Sequence, residues 1–195
     1  CEGVEFLSST DHDYVTDYSP VIQSMGLDPW VQSTVGTETT TIEVGHYLGF
    51  PLHIDYNQPA GGAYVWTERT PQQIVDGLRA KGAHSPEETA VFVGHPRDGI
   101  LGYFDQFGMD PFSGTEEPSA SLLNAISNPT LANPENFTLD FDGLEILNGK
   151  RLDFVRTPTA TEAACQRAFD AGSPLPECPN GTTIYDILAR TMEEQ

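Results

Sequence analysis

Short apolar or β-branched segments recur along this chain, and each lies beside a turn that carries a histidine or a carboxylate. Val4-Glu5-Phe6-Leu7 leads into Thr10-Asp11-His12-Asp13, and Thr34-Val35-Gly36-Thr37 leads into Glu38. Gly45-His46 adjoins Tyr47-Leu48-Gly49-Phe50-Pro51-Leu52, and Ala90-Val91-Phe92-Val93 leads into Gly94-His95-Pro96-Arg97. Runs of this length and composition read as strands. Folds that deliver polar groups from successive strand ends to one rim are α/β sheets and barrels, which keep their chemistry there. Ala90–Val93 is wholly apolar, as expected of a strand buried on both faces in a parallel sheet covered by helices.

Between the strand segments, helix signals are local and strong. Thr70-Pro71-Gln72-Gln73 combines an N-cap, a first-turn proline and a capping box; Ile74, Val75 and Leu78 form the apolar stripe, and Gly82 is placed to end the helix. Residues 98–140 are loop-rich, with a short helix expected near Ser119–Ile126. A further strand is expected at Leu144–Leu147. Thr159–Glu162 forms a second capping box for a helix to about Ala171, and Thr183 caps a last helix with Ile184, Ile187 and Leu188 inward. Strands alternating with helices give an α/β architecture. At 195 residues, a single domain over 1–195 is expected.

Composition narrows the partners. Nine basic residues face 29 acidic ones, a net charge of −20. Such a surface repels a phosphate backbone, so no nucleic-acid partner is expected, and a nuclease is disfavoured. No run approaches the ~18 consecutive apolar residues of a membrane span. Cys165 and Cys178 flank a proline-rich loop, and a disulfide across it would contribute roughly 3 kcal/mol. With Cys1 left over and the sequons Asn136-Phe137-Thr138 and Asn180-Gly181-Thr182, the chain reads as exported, periplasmic or extracellular. The abrupt opening at Cys1 suggests a segment upstream, which would complete the fold.

Three of the five histidines, His12, His46 and His95, follow a strand or a glycine turn, and Glu38 closes a strand. Three imidazoles and a carboxylate suit a divalent transition metal such as Zn²⁺, Mn²⁺ or Fe²⁺. His53 and His84 lack that setting and read as non-ligands. Asp11 stands where a carboxylate can orient His12. Arg97 could clamp a phosphate or carboxylate, or form a structural ion pair. Asp140-Phe141-Asp142-Gly143 lacks the later ligands of a calcium loop and reads as a turn.

Phe6-Leu-Ser-Ser-Thr-Asp-His12, Gly36-Thr-Glu38, Gly45-His-Tyr-Leu-Gly49 and Gly94-His-Pro-Arg97, in that order, resemble the PHP (polymerase and histidinol phosphatase) superfamily, most nearly its branch related to carbaryl hydrolase. Gly143-Leu-Glu-Ile-Leu-Asn-Gly149 is similar to a late strand of that branch. The resemblance covers roughly residues 3–150. It implies a distorted (β/α)7 barrel, partial in this chain, binding two or three metal ions at the C-terminal ends of the strands. His12, Glu38, His46 and His95 would be ligands, with Asp11 behind His12. The reaction implied is hydrolysis of a small phosphoester, carbamate or related ester or amide by metal-activated water. The family's His-x-His motif would precede residue 1. Its Asp-x-His motif would follow Asn148, yet no histidine occurs after residue 150. Two functions are therefore carried forward: an exported metal-dependent hydrolase acting on a small molecule, and a non-catalytic extracellular structural or binding module on a degenerate barrel.

Overall fold

The structure, a computed structural model, describes residues 3–98, 101–109 and 131–145. All of these belong to one compact unit. Six strands form two sheets, neither closed into a barrel among the described residues. Strands β1 (Phe6–Ser8) and β2 (Gln32–Thr34) pair in parallel, Phe6 opposite Gln32, with the short helix α1 (Ser19–Ser24) between them in sequence. The second sheet has the order β3 (Thr37–Thr40), β4 (His46–Phe50), β5 (Ala90–Gly94) and β6 (Gly143–Leu144).

The direction of these strands departs from the sequence expectation. β5 runs antiparallel to β4 and parallel only to β6. Its burial is alternate rather than complete: Val91 and Val93 are buried, whereas Ala90 and Phe92 are half-buried. An apolar run does not distinguish a two-faced strand from one whose outer face is merely covered in part. The expected strand through Thr34–Glu38 is also broken. Gly36 leaves the ladder to give its N–H to Ser9 Oγ at 2.8 Å, while Ser9 donates to the Thr16 carbonyl at 2.6 Å. Val35 is spent on Leu52, whose N–H reaches its carbonyl at 2.9 Å. Glu38 therefore lies inside β3 rather than at a strand end, and His46 opens β4.

Helix α2 (Pro71–Arg79) forms where its local signals put it. Thr70 Oγ1 accepts from Gln73 N at 3.4 Å, and Gln73 Oε1 accepts from Thr70 N at 3.0 Å, completing the capping box. It ends at Arg79, ahead of Gly82, in a turn closed by Lys81 and Gly82 N–H groups on Leu78 and Arg79 carbonyls. Ile74, Val75 and Leu78 are fully buried and pack α2 onto the sheet, each worth roughly 1.5–3 kcal/mol on transfer from water. Gly49 makes this approach possible, because a Cβ there would lie 3.1 Å from Leu78 Cδ2. The core continues through Tyr47, Val91, Val93, Tyr103 and Phe107. Tyr103 belongs to α3 (Tyr103–Gln106), a one-turn helix not anticipated from sequence. It stacks on Phe137 with centroids 5.4 Å apart, and its hydroxyl both donates to the Thr138 carbonyl (2.8 Å) and accepts from its N–H (2.9 Å).

The helices expected at Ser119–Ile126, Thr159–Ala171 and beyond Thr183, the Cys165–Cys178 bridge, and residues 146–147 of the late strand lie outside the described residues. No helix among the described residues is long and apolar enough to cross a membrane.

Candidate metal centre

The antiparallel pairing assembles the site. His46 begins β4 and sits opposite Gly94, the last residue of β5, and opposite Thr40, the last residue of β3. The start of one strand thus meets the ends of its two neighbours, and His95 follows immediately on Gly94. Glu38 lies two residues before Thr40, so its side chain shares that residue's face of β3. The Asp11–Asp13 segment is sewn to the same strand. Glu38 N–H bonds the Asp11 carbonyl at 3.0 Å, Asp13 N–H bonds the Glu38 carbonyl at 2.8 Å, and His12 forms a bridge with Glu38.

Three donor atoms converge. Glu38 Oε1 lies 2.8 Å from His46 Nδ1 and 3.3 Å from His95 Nε2, and the two ring nitrogens are 2.9 Å apart. Glu38, His46 and His95 are the described group that could hold a metal ion. Their fit to one is good. Coordination bonds of ~2.1 Å give ligand-to-ligand edges of about 3.0 Å in an octahedron and 3.4 Å in a tetrahedron. Two imidazoles and a carboxylate suit zinc or ferrous iron. His46 is 3% exposed, and its Nε2 has no hydrogen-bond partner. A ring buried with one nitrogen unmet carries a cost of about 1–3 kcal/mol. Burying such a ring is most readily understood where its other nitrogen gains a strong bond.

The electrostatics describe the metal-free cluster. Burial alone pushes the Glu38 carboxyl upward. Hydrogen bonds from His46 and His95 and the nearby His12 and His46 outweigh it, holding the group at about 2. Burial likewise pulls His95 down, but its bond to Glu38 and the charges of Glu38, Asp98 and Glu145 raise it above the ordinary histidine value.

Not every expected residue joins the group. His12 stands at its edge. Its side chain is 57% exposed, with Nδ1 3.6 Å from Glu38 Oε2 and 2.7 Å from Thr40 Oγ1. The Glu38 carboxylate therefore presents one oxygen to His46 and His95 and the other to His12. Asp11 does not reach His12; its Oδ2 accepts the Tyr18 hydroxyl at 2.8 Å. Arg97 forms an ion pair beside the group. Its Nη1 donates to Asp105 at 3.0 Å and to the Met109 carbonyl at 2.7 Å, and the guanidinium lies over Phe104. His53 and His84 are exposed.

Two acids that sequence reading passed over face His95. Asp98 Oδ2 lies 3.6 Å from His95 Nδ1, and Glu145 Oε2 accepts the His95 N–H at 2.7 Å. Asp98 was open to discovery as an acid three residues beyond a candidate ligand. Glu145, fifty residues away, stood in an expected strand, and nothing local tied it to His95. Compared with protein-family models, curated proteins and solved structures, the chain matches none.

Proposed function

We propose that this chain is a divalent-metal hydrolase domain of the PHP type, its barrel partial here, in which Glu38, His46 and His95 hold an ion. The proposed substrates are small phosphoesters, carbamates or related esters and amides. The observation that carries the reading is the mutual approach of Glu38 Oε1, His46 Nδ1 and His95 Nε2 to within 3.3 Å on a face of the sheet. A divalent cation bound there supplies Lewis acidity and brings water toward ionisation near neutral pH. The remaining chemistry belongs to the chain's own side chains. Glu38 turns its second oxygen toward His12, so a further ion of the two or three implied by the resemblance would be held between these two residues. His12 Nδ1 rests on Thr40 Oγ1 and its side chain is largely exposed, so taking up that ion would require the imidazole to exchange its bond to Thr40 for the metal. The acidic surface favours cations and small molecules over nucleic acid.

The test uses the full-length protein, stripped with chelator and reloaded with Zn²⁺, Mn²⁺ or Fe²⁺. An aryl phosphate and an aryl carbamate serve as reporters. Elemental analysis and rate should rise together on reloading and fall together in His46→Ala, while His84→Ala, an exposed residue outside the cluster, retains both. A wild-type protein that takes up no metal would defeat the proposal and favour a non-catalytic extracellular module. Full activity in His46→Ala would defeat it as well.

A further inference from the structure

His95 adopts φ +26°, in the left-handed region that residues with side chains rarely occupy. It is the first residue beyond β5, at the point where the chain turns away from the end of that strand. That turn brings its Nε2 to Glu38 and His46. Leaving the ladder frees its backbone N–H, and the group that takes it is the Glu145 carboxylate at 2.7 Å, a short, charge-assisted bond. Glu145 is delivered by register. β6 pairs in parallel with β5, Val93 opposite Leu144, and the next N–H, that of Glu145, bonds the Val93 carbonyl at 2.9 Å. The carboxylate then lies alongside Gly94, where even an added Cβ would stand 3.8 Å from Glu145 Oε2. Phe92 packs closely over Gly143, where an added Cβ would stand 2.9 Å from Phe92 Cε1, so the short strand that leads into Glu145 lies against β5.

We propose that Glu145 is a positioning residue for the metal centre: it accepts the His95 amide, holds the left-handed turn, and thereby aims the His95 imidazole at Glu38 and His46. It acts through the backbone of a ligand rather than by touching the ion. The inference rests on the metal reading of Glu38, His46 and His95. It adds a requirement on a residue fifty positions away on another strand.

The experiment titrates Co²⁺ into the chelator-stripped full-length protein and follows the visible ligand-field spectrum together with metal content. Wild type, Glu145→Gln, Glu145→Asp and Glu145→Leu are compared, with thermal unfolding of each metal-free protein recorded alongside. Gln keeps an oxygen acceptor at the same reach without the charge, so it should retain the wild-type spectrum and lose less affinity than Asp. Asp keeps the charge but is one methylene short. Asp and Leu should weaken Co²⁺ binding by about 10–100-fold, the usual effect of losing a group that orients a ligand, and should alter the spectrum. If Leu does not fold, the Asp and Gln pair still decides the matter. A wild-type spectrum and affinity in Glu145→Asp would overturn the proposal, as would equal losses in Gln and Asp. A wild-type protein that binds no Co²⁺ would instead overturn the metal reading itself.

Discussion

Gly45→Ala is the perturbation that most directly links the packing to the site. Gly45 immediately precedes His46, and its φ is +82°. An alanine there would lie in the left-handed region, at a cost of roughly 1 kcal/mol. Its Cβ would also stand 2.7 Å from Tyr103 Cβ and 2.8 Å from Tyr103 Cα. Tyr103 cannot yield easily, because its ring is fixed between Tyr47, Phe107 and Phe137 and its hydroxyl makes both bonds to Thr138. Overpacking against a fixed neighbour costs typically 1–3 kcal/mol. The two effects together give a loss of roughly 2–4 kcal/mol. At a urea slope of about 2 kcal/mol per molar, the unfolding midpoint should fall by roughly 1–2 M. The strain is relieved by moving residues 44–46, so His46 should leave its place beside Glu38 and His95, and metal affinity should weaken in the same variant. Urea unfolding followed by circular dichroism, with metal titration of the folded protein, measures both. A midpoint within about 0.3 M of wild type would refute the contact geometry argued for Gly45 and Tyr103.

Two further outcomes follow from the same structure. In metal-free protein, Glu38 is held at about 2, below the ~4.3 of an unfolded glutamate. Its stabilising contribution is therefore fully present above about pH 4.3 and is lost as pH falls toward 2, at most about 2 kcal/mol after screening by solvent. His95 is raised, so its contribution is present below ~6.5 and is lost as pH climbs through its folded value. Unfolding free energy measured from pH 2 to 8 should peak between these limits, and a Glu38→Gln protein with the same acid limb would contradict this. Tyr103→Phe leaves Thr138 N–H and carbonyl without their shared partner and should cost about 1–3 kcal/mol in urea unfolding; a neutral result would show that water replaces the hydroxyl.

Sequence alone determined the elements whose causes lie within a few residues of one another. Helix α2 could be read in full because its cap, its first-turn proline and its apolar stripe all fall between Thr70 and Leu78. β1, β4 and β5 were legible as apolar segments, and the histidines and Glu38 stood out by their chemical type beside them. Direction and register were not legible, since an apolar run has the same composition whether its neighbour is parallel or antiparallel. Tertiary structure alone decided that β4 runs against β3 and β5, and that pairing places His46 opposite Gly94 and Thr40. It likewise left His12 at the margin with Thr40, turned Asp11 to Tyr18 and committed Arg97 to Asp105. Each of these side chains is flexible and finds its partner only once the backbone is fixed. The groups that matter most to His95 are distant in sequence: His46 by 49 residues, Glu38 by 57 and Glu145 by 50. No local propensity encodes such distances; they are set by strand register, which the packing of the whole sheet selects at once.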